Sequence, residues 1–289
     1  MEIMATQACN ISCQGCQSYS YLPWKGYVPW QQAKSWLEPW TKMIDFTAFG
    51  ILGGEPLLNP EIKSYLYGCR ELMPDSNLRL HTNGLLLKSV EDWLKILDEI
   101  GNARLEITIH GNDNKLKKTI KEILAARPWK AVRIHPNYSI WTLDNGVQFT
   151  LNKPKEFLVT YLGTTDAMMP HQSHPDKAYK LCQMPTCPML YRGKIYKCAQ
   201  SALIKDTLEK INATTKQYWD DFLDHGISPD SNYQDIVNFI DNFGKSNAIC
   251  AQCPEDSSFF IQHQNSVSLR KIPIKKSFGN HTVDNVDII

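Results

Sequence analysis

The first half of this chain alternates short apolar strands with amphipathic helices, and few folds accommodate that rhythm. "EIMAT" near the start and "FTAFGILGGE" at residues 46–55 read as buried strands, the second running into a glycine turn. "NPEIKSYLYGCRELMP" follows, with Ile62, Tyr65, Leu66, Cys69, Leu72 and Met73 at helical intervals, Asn59 as N-cap and Pro60 at the first helical position. "NLRLHTNG" is a strand closed by a turn at Asn83 and Gly84. Ser89 then caps a helix with Asp92 at its third position; Val90, Trp93, Leu94 and Leu97 form the stripe, and Gly101 ends it. "ARLEITIH", "KLKKTIKEILAAR" and "KAVRIH" continue as strand, helix and strand. The pattern predicts an α/β fold with a parallel sheet and right-handed crossovers.

After about residue 160 the rhythm breaks. "MLYRGKIYKCA" reads as a hairpin turning at Arg192 and Gly193, while "TKQYWDDFLDHG" and "YQDIVNFIDNFG" read as two short helices. The expected organisation is therefore a core over residues 1–160 and an extension over 161–289. With 289 residues, 43% hydrophobic and 21% charged, either part can bury a core. A net charge of +1 announces no polyelectrolyte partner, and nothing in it points to nucleic acid. Arg270, Lys271, Lys275 and Lys276 form the one basic run, read as a solvated tail.

No signal peptide and no apolar stretch of membrane length is evident, so the expected location is cytoplasmic, with no membrane partner. In a reducing compartment nine cysteines read as metal ligands before disulfides. They group as Cys9, Cys13 and Cys16; Cys182, Cys187 and Cys198; and Cys250 with Cys253. Cys69 stands apart on the apolar face of its helix and reads as inert core. Three nearby thiolates either recruit a distant fourth ligand or leave one metal position open for a substrate. Their C-x3-C-x2-C loop follows the first strand, where parallel α/β folds place ligands.

The three-cysteine loop, "LGGEP" after the second strand and "HTNG" after the third together resemble the radical S-adenosylmethionine (radical SAM) superfamily. The resemblance implies a partial (β/α)6 TIM-like barrel. It implies that Cys9, Cys13 and Cys16 hold three irons of a 4Fe-4S cluster whose fourth iron chelates SAM. It also implies that Gly53, Gly54 and Glu55 meet the SAM amino group, with Asn83 and His110 near the nucleoside. Where the family carries an aromatic residue before the third cysteine, this chain has Gly15. Adenine packing then falls to Tyr19 or Tyr21, unless those aromatics staple the loop to the first helix. His171 and His174 read as surface residues.

Cys182, Gly193, Cys198, Cys250 and Cys253 resemble the auxiliary-cluster extension called twitch, the shortened form of SPASM. That implies an auxiliary 4Fe-4S cluster, whereas thiolates on a hairpin and a C-x2-C pair, read by themselves, favour a structural zinc site. Cys187 competes with Cys182 for the fourth position. The expected function is an oxidoreductase that abstracts hydrogen from a small molecule such as a sugar, aminocyclitol or nucleoside. The alternatives are a maturase acting on a peptide substrate and a non-catalytic iron-sulfur or zinc module. The chain begins at its first strand, which leaves no room for a leader-peptide recognition domain. A low-potential electron donor such as flavodoxin or ferredoxin is implied as partner. No catalytic acid or base stands out.

Overall fold

The computed structural model describes residues 1–111 and 113–262; the basic run from Arg270 to Lys276 lies outside the described residues. The chain divides into two compact units. Unit 1 comprises Met1–Asn10 and Pro23–Lys155, and unit 2 comprises Ile11–Leu22 and Glu156–Ile289. The expected change of character near residue 160 thus falls at 155, and the segment 11–22, carrying Cys13 and Cys16, is grouped with unit 2.

Unit 1 opens with β1 (Glu2–Met4), α1 (Trp30–Thr41), β2 (Ala48–Leu52), α2 (Ile62–Leu72), β3 (Asn77–Thr82), α3 (Val90–Ile100), β4 (Ala103–Thr108) and α4 (Asn114–Ala126). The first four strands lie side by side in chain order and pair parallel. Sequential order with right-handed crossovers sends every helix to the same face. That face is apolar: Ile3, Phe49, Ile51, Leu78, Leu80, Ala103 and Ile107 are fully buried. α3 is capped as its sequence foretells, Ser89 accepting from the Asp92 N–H at 3.3 Å and Gly101 ending it. α2 starts later than expected, because Pro56–Leu58 forms a short 3-10 turn first. Asn59 caps no helix there; its side chain accepts from the Glu61 N–H and donates to the carbonyls of Ala5 and Val28.

The strand expected at "KAVRIH" corrects the simple repeat. β5 (Lys130–Arg133) is an exposed edge strand that pairs antiparallel with β6 (Tyr138–Thr142), and β6 pairs antiparallel with β7 (Gln148–Asn152). β7 takes the place beside β4, in parallel. The cause is local: the chain turns tightly around Asn145 and Gly146, with Leu143 and Val147 exchanging a hydrogen bond at 2.8 Å, and Trp141 stacks at 5.5 Å on its cross-strand partner Phe149. The α/β sheet is as expected, but the regular (β/α)6 repeat gives way after four units to this antiparallel pair.

Unit 2 is built of short pieces: β8 (Glu156–Leu158), α5 (Pro175–Leu181), β9 (Met189–Tyr191), β10 (Lys194–Tyr196), α6 (Ala199–Lys210), α7 (Tyr233–Asp241) and β11 (Phe260–Gln262). β9 and β10 form the expected hairpin, with positive φ at Arg192 and Gly193, and β11 pairs antiparallel with β8. "TKQYWDDFLDHG" is a 3-10 segment over Lys216–Phe222 rather than an α-helix, held by Trp219, whose indole donates to the Met168 carbonyl at 3.0 Å. α5 and α6 were not foreseen. Among the described residues no helix is long and apolar enough to cross a membrane.

Candidate active site and second cysteine centre

At the carboxyl ends of β1 and β2, two loops of unit 1 are sewn together by backbone. The Gly54 N–H donates to the Thr6 carbonyl at 2.7 Å and the Glu55 N–H to the Ala8 carbonyl at 2.9 Å. Glycine is required for that approach: a Cβ on Gly53 would stand 2.5 Å from the Thr6 carbonyl oxygen, and one on Gly54 2.4 Å from that of Ala8. The Gly-Gly-Glu loop therefore fixes the path of the chain directly before Cys9.

Glu55 is fully buried, and its carboxylate accepts from the Thr82 hydroxyl at 2.7 Å, the Asn83 N–H at 2.7 Å and the Leu57 N–H at 3.0 Å. Burial nevertheless pushes its carboxyl up to about 7, against the pull of those three donors. Asn83 in turn donates through its side-chain amide to Asn10 at 2.7 Å and accepts from the Leu85 N–H at 3.0 Å. A continuous chain of polar contacts thus runs from the third strand's turn through Glu55 and Asn83 to the neighbour of Cys9. Asn10, Thr6 and Thr82 were missed in the sequence; they are ordinary polar residues, and only their contacts mark them. His110 is half-buried just beyond β4.

The donor chemistry suits an iron-sulfur cluster: three thiols occupy one loop of eight residues, and the amide nitrogen of Gln7 is buried without a partner two residues before Cys9. In unit 2, Cys13 is buried, and the Cys16 N–H donates to the Cys13 carbonyl at 3.2 Å, folding the loop into a turn. Burial pushes the Cys16 thiol up, opposed by hydrogen bonds from Ser20 and Ser18. Gly15 has φ +73°, and a Cβ there would meet Phe157 at 3.1 Å. A left-handed turn packed against Phe157 thus stands at the position before the third cysteine. Tyr19 is also in unit 2, and its hydroxyl is pushed well up by burial and by the nearby Cys253.

Unit 2 carries a second cysteine centre. Cys182, Cys198, Cys250 and Cys253 line one cavity, together with Lys197, Gln252 and other residues. Cys187 is not among its lining residues. The hairpin returns the chain to Cys198, which also caps α6, its N–H bonded to the Ser201 hydroxyl at 3.3 Å. Burial pushes the Cys253 thiol well up, and Cys198, Cys182 and Cys250 push it in the same direction. Lys197 is buried beside them, donating to the carbonyls of Asn242, Phe243 and Lys245 and lying 5.1 Å over the Tyr179 ring. The Gln252 side-chain oxygen is buried without a partner. Among the described residues no three Cys, His, Asp or Glu side chains converge on a point as a single ion requires; the four thiols surround a volume.

Two histidines before Cys182 read as surface residues. His174 is exposed, but His171 corrects that expectation: its ring stands edge-on to Phe259 at 4.5 Å, and burial pushes its imidazole down to about 4.

With this geometry in hand, likeness to known proteins can be read. Residues 3–155 match the Radical SAM superfamily, so the chain belongs to it, and its membership marks it as an enzyme rather than a passive metal-binding module. It resembles a GTP 3',8-cyclase of Campylobacter jejuni, 29% identical over 129 residues, which are 42% of this chain and 38% of that protein. The corresponding protein of Aquifex aeolicus is 26% identical over 125 residues, with the same coverage. The chain thus spans less than two fifths of the curated relatives it matches. Among solved structures, BtrN in complex with AdoMet and 2-DOIA is 16% identical, with TM-score 0.48 over 87% of this chain and 91% of that one. Streptococcus suis SuiB bound to precursor peptide SuiA is 23% identical, with TM-score 0.32 over 40% of this chain and 25% of that one.

Proposed function

We propose that this radical SAM enzyme reductively cleaves S-adenosylmethionine and abstracts hydrogen from a small, polar substrate, with a second iron-sulfur cluster in unit 2. The observation that carries the reading is the lock between the cysteine loop and the Gly-Gly-Glu loop. Two unrelated stretches of sequence are held together by their backbones directly before Cys9 in the chain. When bound, the cluster of the superfamily supplies an electron to the SAM sulfonium, releasing methionine and a 5′-deoxyadenosyl radical.

The chain's residues do the positioning. Cys9, Cys13 and Cys16 supply three thiolates. Glu55, held rigid by Thr82, Asn83 and Leu57, presents a buried carboxylate for the cationic amino group of SAM; that cation would draw its pKa back down. Asn83 holds Asn10 and hence the entry to the cysteine loop, so its role is to orient. His110 lies near the nucleoside in this reading. Tyr19 serves unit 2, between the cysteine loop and Cys253, more than it serves the adenine. In unit 2, Cys182, Cys198, Cys250 and Cys253 ligate an auxiliary 4Fe-4S cluster; Cys187 is left out, and Lys197 supplies positive charge against an anionic centre. Electrons reach the protein from a donor such as flavodoxin or ferredoxin.

The test is 5′-deoxyadenosine release from SAM by anaerobically reconstituted, reduced protein. Release from the wild type that falls to background in Cys13→Ala supports the reading. No release from fully iron-loaded protein, or equal release from the variant, overturns it.

A further inference from the structure

Between β10 and Cys198 the chain buries a cation. Lys197 is the one buried lysine among the described residues, at 7% exposed, although lysine ordinarily keeps its ammonium in water. Its place in the chain does not call for it: it directly precedes the N-cap of α6, where the helix dipole disfavours positive charge. Something else in unit 2 holds the charge there.

The Lys197 Nζ donates to the carbonyls of Asn242 at 3.5 Å and Lys245 at 2.6 Å, and to that of Phe243. A neutral amine has only two N–H groups, so three acceptors require the ammonium. The Tyr179 ring lies 5.1 Å away as a further partner. These contacts fix the side chain and cap the stretch that follows α7, but none of them is an anion. Burial pushes the Lys197 pKa down, and the groups that push it back up are the thiols of Cys250, Cys198 and Cys182, with no carboxylate among them. Those three cysteines and Lys197 line the same cavity.

A buried cation is costly unless an anion faces it. Carbonyl dipoles offset part of that cost, and an exposed lysine would cap the end of α7 without incurring it. The remainder calls for negative charge in the cavity, and its thiols become anionic when they ligate a metal.

We propose that Lys197 is the counter-charge that sets the reduction potential of the cluster in unit 2. A cubane held by four thiolates is an anion. Taking one electron from a reduced donor such as flavodoxin adds a further negative charge, while no bond forms or breaks. An ammonium fixed in the cavity wall favours that reduced form and so raises the potential. The clamp on Lys197 makes the stretch 242–245 part of the same device. The inference rests on the proposed second cluster and adds the residue that poises it.

The test is a redox titration of iron-loaded full-length protein followed by electron paramagnetic resonance, the unit 2 signal being the one absent from Cys253→Ala. K197M is expected to lower its midpoint by about tenfold in the one-electron equilibrium constant, ~59 mV, and K197R to hold it near the wild-type value. A midpoint unchanged in iron-loaded K197M overturns the proposal and leaves Lys197 a cap on the end of α7. Iron content is measured on the same samples. Should K197M lose iron, K197Q is titrated in its place, since it keeps N–H donors for the carbonyls without the charge, and the same shift is expected. Iron retained by K197R and lost from both neutral variants supports the counter-charge; iron lost from all three overturns it. Wild type without the unit 2 signal overturns the second cluster and this proposal with it, whereas a signal whose midpoint ignores Lys197 sinks the counter-charge alone. The expected shift in protein that releases no 5′-deoxyadenosine sinks the radical reading and leaves the role of Lys197 standing.

Discussion

Unit 1 buries Phe49, Ile51, Leu78, Leu80 and Ile107 completely between one sheet and its helices, with strands and helices of three to thirteen residues alternating from β1 to α4. Unit 2 has several strands of only three residues, repeated 3-10 turns, and a cavity walled by four thiols. In the first, apolar area removed from water supplies the stability. In the second, short elements leave less to bury, and the cluster proposed for its cysteines would add its binding free energy to folding. The difference teaches that one chain can combine a unit specified by its apolar pattern with one whose cysteines, on the proposed reading, supply what its short elements lack.

The strongest way to break that comparison is to remove the metal. Chelation, or Cys253→Ala, should cost unit 2 a large part of the ~10–16 kcal/mol that a structural metal contributes in small domains. Limited proteolysis should then cut between residues 156 and 262 while the segment 23–155 survives. Equal protection of both units in the metal-free protein would show that unit 2 needs no metal to fold. Cys187→Ala should leave iron content unchanged, and iron loss from that variant would move the ligand assignment.

A core truncation should act the other way. Phe49→Ala removes a ring that is fully buried and should cost about 3–5 kcal/mol, equally in metal-loaded and metal-free protein. Chemical denaturation of both forms measures it; a cost that depends on metal would mean the units do not fold independently.

The Glu55 carboxyl, raised by burial to about 7, adds a pH signature to unit 1. A raised acid is more readily protonated folded than unfolded, so its contribution to stability is fully present below the ordinary carboxylate range and is lost as pH rises through about 7. Melting temperature against pH should therefore fall across that window, and Glu55→Gln should flatten the curve. SAM binding should strengthen over the same rise, as the carboxylate ionises. The smallest effect is expected at Ser89, whose hydroxyl caps α3; Ser89→Ala should cost about 1 kcal/mol and leave iron content untouched.

The two units also differ in how much could be read in advance. β1 to β4, α2 to α4 and the Ser89 cap were legible because each is specified by residues a few positions apart. The hairpin before Cys198 was legible from Arg192 and Gly193 for the same reason. The β5 to β7 meander was not, because strand direction depends on Trp141 finding Phe149 across the turn. The 3-10 segment at Lys216–Phe222 has a helical pattern, and what holds it is a contact between Trp219 and Met168, 51 residues apart.

The sequence by itself determined the chemistry of the site: which thiols exist, the spacing of the first three, and the glycines and glutamate of the loop after β2. Tertiary structure alone decided which of the five C-terminal cysteines share a cavity, which neighbours satisfy Glu55, and that His81, Glu106 and Thr150 stand beside one another on adjacent strands. Spacing along a chain governs local turns and helical faces, whereas residues from different strands meet only through register and packing, which no short window of sequence contains.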